Sequence, residues 1–299
     1  MAKDGQQRKQ EARERARQRR EAELRKARQR KIYTYTGAVI AVVAVVVAVV
    51  LVAINNKSKD ENANVTASPA IVTALTSVPA ANFDQVGKGT STGGISPVTG
   101  QPPLTANGKP EVLYVGAEYC PYCAAERWAM VTALARFGTF SGLQTTKSSS
   151  QDVFPSTATL SFLTTTYTSD HVTFTSRETQ DRAGKSIPTQ ELTSAQASTF
   201  KAIAPKGGIP FVDIANKYFI NGAQFDPNVL KGLTAEEIAT QAGNPGTDIG
   251  KAVLGSANLI TAAICKATDN QPAAVCNSSA VTSVAGSLTG GSTDGSSSN

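Results

Sequence analysis

The run EVLYVGAEYCPYCAAERW, residues 111–128, decides the fold. Its opening, EVLYVGA (111–117), is apolar and of strand length, which predicts a buried strand. Cys120-Pro121-Tyr122-Cys123 follows, and then a helix is predicted over 121–137, with Cys123, Met130, Leu134 and Phe137 along one side. Two cysteines this close can bind a metal, form an inert staple or cycle electrons. Pro121 suits the first helical position, where its missing N–H costs nothing. Cys120 then sits at the helix N-terminus, where the dipole and free N–H groups favour a thiolate. Cys123 lies one turn in, less exposed, and can resolve a mixed disulfide by closing the ring. The spacing therefore supplies an attacking and a releasing sulfur, and redox cycling is the favoured reading. A zinc site with Cys265 and Cys276 is the first rival, but ten residues separate that second pair, unlike the short spacings of structural zinc sites. A static bridge is the second, but a four-residue ring closes almost no loop and staples poorly.

Outward from this run, charge is segregated. The 299-residue chain has a formal charge of +6. Residues 1–31 hold thirteen Lys/Arg against five Asp/Glu, a net of +8. Residues 32–299 are close to neutral at −2, so the globular part gives no electrostatic case for binding nucleic acid. Between the two lies IYTYTGAVIAVVAVVVAVVLVAI, Ile32 to Ile54, without a charged residue. As a helix it spans roughly 34 Å, enough for a bilayer core of about 30 Å. Tyr33 and Tyr35 stand at its basic end, where interfacial aromatics are common. No clear small-x-small cleavage site follows. The expectation is an uncleaved signal-anchor of the cell membrane, single-pass, with a basic cytoplasmic N-terminus and everything after Ile54 extracytoplasmic. All four cysteines then face an oxidising compartment, and their even number fits two bridges.

Residues 1–31 read as a basic cytoplasmic tail, 32–54 as the transmembrane helix, 55–67 as a polar linker, 68–284 as the folded domain and 285–299 as a disordered tail. Within the domain, Ile71, Val72, Leu75 and Val78 recur at helical spacing, predicting one short amphipathic helix in 68–87. Residues 88–110 are rich in Gly, Pro and Thr and read as an irregular connection. SGLQTTKSSS and HVTFTSRET look like strands with Thr on one face, the second carrying the lone histidine, His171. TSAQASTFKAIA (193–204) is a helix capped by Thr193 or Ser194. IPFVDIANKYFING (209–222) reads as strand, tight turn at Asn216 and strand. TAEEIATQAG and DIGKAVLGSANLITAAICKA are helices. Strand–helix–strand followed by helix–hairpin–helix predicts an α/β domain, a mixed sheet with flanking helices. Cys265 and Cys276 flank a loop of a size that fits a structural disulfide; a second redox pair feeding the first is the alternative. Glu126 is expected to be exposed beside Arg127, the alternative being a buried proton acceptor for Cys123.

The strand, CPYC and helix resemble the active-site unit of the thioredoxin superfamily. CPYC is the tetrapeptide often seen in glutaredoxins, and periplasmic oxidases of the DsbA type use the same layout. The ectodomain, about 70–280, also resembles an uncharacterised membrane-anchored family, domain of unknown function 929. The first resemblance implies a thioredoxin-like mixed sheet and a cis-proline beside the cysteines, at Pro210 in KGGIPFVDI. It implies that the Ile209 backbone pairs with a substrate strand, while Pro121 and Tyr122 line the same surface. The long gap from Cys123 to Pro210 implies a Thr/Ser-rich insertion. Pro-Tyr in place of Pro-His, with Glu118 and Glu126 nearby, implies a less extreme oxidant than the DsbA type.

The resulting expectation is a membrane-anchored thiol–disulfide oxidoreductase acting on exported thiol or disulfide proteins. Cys120 and Cys123 would be its redox centre, with no metal or organic cofactor and with a membrane redox partner. The alternative is a noncatalytic binding module at the cell envelope.

Overall fold

A computed structural model describes residues 64–288. The expected cytoplasmic tail, the Ile32–Ile54 span, linker residues 55–63 and tail residues 289–299 lie outside the described residues.

The chain enters the fold earlier than its sequence implies. Residues 64–67, expected to be linker, already belong to the domain: β1 (Val65–Thr66) pairs with a strand of the insertion, and the Asn64 side chain donates to Glu118 and Ser161. The single helix expected in 68–87 is two, α1 (Pro69–Thr76) and α2 (Ala80–Val86). Pro79 separates them, because a residue before proline is driven out of the helical region. The connection at 88–110 contains two-residue strands, β2 (Ser96–Pro97) and β3 (Thr105–Ala106).

Then comes the central pair, β4 (Lys109–Gly116) and α3 (Pro121–Leu134). The helix stops at Leu134, three residues short of the expected end. The insertion carries β5 (Gly138–Ser141), β6 (Gln144–Lys147), β7 (Ala158–Ser161) and β8 (Thr166–Ser169). His171 stands in the turn before β9 (Thr173–Glu178), not within the strand. α4 (Ser194–Ile203) is capped by Thr193 in a capping box with Gln196. The hairpin β10 (Phe211–Ile214) and β11 (Tyr218–Asn221) turns through Ala215 and Asn216, both at positive φ, with the Asn216 N–H held by Asp213 Oδ1. α5 (Ala235–Ala242), α6 (Asp248–Ala267), α7 (Ala273–Cys276) and α8 (Ser279–Val284) complete the domain.

The principal sheet is mixed. Its order is β2-β11-β10-β4-β3, and β9 joins β4 in parallel, with Gly116 opposite Glu178. Both of its faces are covered, which is why β4 reads as an unbroken apolar run rather than an alternating one. Val112, Tyr114, Val212 and Ile214 belong to the core shared with α3 and α6. Leu113, Val115 and Phe211 pack against Phe200 and Ile203 of α4 and Ala204 at its C-cap. Two small antiparallel sheets, β1-β6-β7 and β5-β8, hold the strands of the Thr/Ser-rich insertion, with β1 joining them from the start of the domain.

That insertion is part of the core. β7 is buried throughout, and its Thr159 hydroxyl donates to the Ala124 carbonyl of α3 at 2.7 Å. α6 is long and apolar enough to cross a membrane by length and composition, yet 89% of its most apolar stretch is buried inside the domain, as expected of a core helix. The last turn is also structured: residues 285–288, expected to be disordered, form a 3-10 turn whose Leu288 is buried. A disulfide joins Cys265 at the end of α6 to Cys276 in α7, with Cα atoms 5.6 Å apart.

Candidate functional site

β4 ends at Gly116, the chain turns through Ala117–Tyr119, and α3 begins at Pro121. Cys120 is the N-cap of α3, and its Sγ accepts the N–H of Cys123 at 3.2 Å. That N–H is one of the orphan donors every helix start presents, so here the cap is a sulfur. Cys120 is 5% exposed and Cys123 is fully buried; both are thiols.

The two sulfurs differ in their electrostatics. The Cys120 thiol is held below its ordinary range, first by a hydrogen bond from the Cys123 side chain. The Cys123 and Tyr122 N–H groups and the Arg127 charge add to this, against opposition from burial. Cys123 is pushed well up, first by burial and then by its role as donor to Cys120. One sulfur is therefore prepared to be an anion and its neighbour to keep a proton, the asymmetry that attack followed by resolution requires.

The sheet brings a distant segment onto this pair. The Cys120 thiol points at the Ile209 carbonyl, 3.9 Å away, across 89 positions of sequence. The Ile209–Pro210 bond is cis. Ile209 packs with Ala117, Tyr119, Cys120 and Cys123 in one small apolar cluster. Pro121 is buried beneath, whereas Tyr122 is 41% exposed, the one exposed residue of α3, and meets the Phe154 ring edge-to-face at 5.6 Å. Phe154 and the strongly exposed Val153 come from the insertion, which therefore lays an aromatic ring on Tyr122, two residues past Cys120. A cleft of about 200 Å³ is lined by Tyr119, the residue before Cys120, and by Ser149, Asp152 and Gln180 among others.

Cys265 and Cys276 belong to the main core, apart from the Cys120–Cys123 cluster, and their bond removes them as metal ligands. Among the described residues no group of three His, Cys, Asp or Glu is placed to hold a metal ion.

Glu126 is not exposed. It is fully buried; its Oε2 accepts the Gln224 N–H at 2.9 Å and its Oε1 has no partner among the described residues. Burial pushes its carboxyl up to about 8, against the Gln224 hydrogen bond. The sign for stability follows. Between the ordinary carboxyl value near 4.5 and about 8, the folded state holds a proton that the unfolded state has lost. The contribution of Glu126 to stability is thus fullest below about 4.5 and declines as pH rises through that window. Glu126→Gln is expected to flatten this decline and to stabilise the domain most at pH 8 and above. Urea denaturation at pH 5 and pH 8 measures it, and an equal effect of the substitution at both pH values would contradict it.

Sequence reasoning expects Tyr114 in a buried strand but misses the buried ion pair that it packs against. Arg127 is fully buried, its Nε and Nη2 gripping Glu178 of β9 at 2.8 and 2.7 Å, while Nη2 also donates to the Ala117 carbonyl at 2.9 Å. Tyr114 lies under Arg127, whose guanidinium carbon is 5.9 Å from the ring centroid. Its hydroxyl folds back against Gly116, where any Cβ would strike it. The signal available was the lack of any polar stripe along 123–134, since a helix without one has no side to give to water.

Residues 98–207 match the family model described as "Domain of unknown function (DUF929)". The match takes in β4, both site cysteines, the insertion and α4, and it ends two residues before Ile209. No curated protein and no solved structure matches the chain.

Proposed function

We propose that this protein is a thiol–disulfide oxidoreductase with a thioredoxin-like domain, anchored in the cell membrane by Ile32–Ile54 and acting on exported proteins. The observation that carries the proposal is the juxtaposition of the Cys120 sulfur, capped by the Cys123 N–H, with the Ile209 carbonyl before cis-Pro210. In the reductive direction, the Cys120 thiolate attacks a substrate disulfide. One substrate sulfur leaves as a thiol and the other stays bonded to Cys120. Cys123 then attacks the Cys120 sulfur, the second substrate thiol departs, and the Cys120–Cys123 disulfide remains. Oxidation of a substrate dithiol is the same path reversed. A membrane redox partner would reset the pair.

The restricted access to Cys120, 5% exposed, favours the rival reading of a noncatalytic binding module. The discriminating experiment uses the full-length chain in detergent. Its reduced form is assayed for reduction of insulin disulfides and its oxidised form for oxidation of a reduced, unfolded protein. Exchange in at least one direction is expected. A folded chain inactive in both directions would discard the oxidoreductase and leave the binding module.

A further inference from the structure

Resting on the oxidoreductase reading, we propose that Arg127 is the positioning residue of the resolving step, its guanidinium holding the Cys123 sulfur as an anion while that sulfur attacks Cys120. Arg127 lies four residues past Cys123, on the same face of α3. The groups bearing on Cys123 come from every element around it: Cys120 and Arg127 from α3, Glu178 from β9 and Tyr114 from β4. Arg127 is the cation among them. Glu118 adds a second carboxylate, its Oε1 at 4.0 Å from Arg127 Nη2 and without a hydrogen-bond partner among the described residues.

A bidentate Arg–Glu pair alone would be a structural device, and apolar side chains of similar volume could replace it without loss. What that account leaves over is Arg127 Nη1, a fully buried donor with no partner among the described residues. The Tyr114 hydroxyl is likewise buried and unpartnered. Spare donors in a dry site gain value when a negative charge forms beside them. In the mixed disulfide Cys120 carries no charge, so it no longer competes for Arg127. Cys123 then loses its proton and attacks the Cys120 Sγ. The bond from Cys120 to the substrate sulfur breaks, and that sulfur departs with the electron pair and takes up a proton. The substrate disulfide is the oxidant, and nothing else is consumed.

Ellman's reagent applied to the reduced full-length chain separates the steps, since attack by Cys120 releases one thionitrobenzoate and resolution by Cys123 releases the second. Arg127→Gln is expected to slow the second release roughly three- to tenfold, the thiolate fraction falling faster than nucleophilicity rises. Glu178→Gln is expected to accelerate it, and Arg127→Lys to keep most of the rate. Opposite signs are the signature, because each single change damages the same ion pair structurally. The double variant Arg127→Gln, Glu178→Gln removes both charges together and is expected to be slow, which decides the matter if a single variant does not fold. An unchanged second release in that folded double variant, or single variants that shift in the same direction, would overturn the role of Arg127. Absence of the first release from the unaltered chain would instead defeat the oxidoreductase reading itself.

Discussion

Cys120→Ser is expected to abolish disulfide exchange in both directions, while Cys123→Ser abolishes turnover yet leaves the first attack intact. The two residues stand three apart on one helix, but the structure gives them unlike surroundings. Cys120 caps the helix, two residues before the exposed Tyr122, whereas Cys123 is fully buried one turn in. Without Cys123 the mixed disulfide on Cys120 has no sulfur to release it, so a covalent adduct should persist on nonreducing gels and vanish with dithiothreitol. Cys120→Ser should give no adduct at all. Adducts of equal yield from both variants would mean that the sulfurs are interchangeable, and the asymmetry of the site would then have no chemical role.

Trp128→Ala carries the largest expected loss of stability. Trp128 is the chain's one tryptophan and is fully buried among α3, β7 and their neighbours. Its indole N–H donates to the Ala158 carbonyl at 3.1 Å, so truncation leaves a large cavity and a buried carbonyl without its donor. Truncations of this kind cost about 3–5 kcal/mol, a large share of the roughly 5–15 kcal/mol that holds a domain folded. Circular dichroism in urea measures it, since the intrinsic fluorescence is lost with the residue. Trp128→Phe fills most of the space and is expected to lose less than half as much. A loss below about 1 kcal/mol for the alanine variant would refute the packing described for β7 on α3.

The two sides of the site were not equally legible in the sequence. CPYC, the apolar run before it and the helix after it are local features, and each has a local cause: a proline at N1, an unbroken apolar strand and good helix formers. The Pro79 break is equally local but masked, because Ile71, Val72, Leu75 and Val78 keep helical spacing up to the proline itself. The burial of Glu126 and Arg127 had no local cause. It comes from α3 having the sheet on one side, α6 on another and β7 closing over the rest. The partner that makes a buried Arg127 tolerable, Glu178, stands 51 residues away, on a strand whose register only the folded sheet fixes. The insertion is legible as a length but not as a structural layer, since Thr157 and Thr159 turn inward as hydrogen-bond donors while Thr139, Thr164, Thr166 and Thr168 of the same insertion face water.

The disulfide between Cys265 and Cys276 has an analytical consequence. It closes the only other two cysteines of the chain, so every free thiol in the protein belongs to the candidate site. The number of alkyl groups taken up after acid quenching and unfolding, two or none, is then a direct gauge of the pair's oxidation state, with no background to subtract. Equilibrating the chain with graded mixtures of reduced and oxidised glutathione converts that gauge into a reduction potential. The same mass difference, read on protein taken from cells, reports which form the compartment maintains and so in which direction electrons flow.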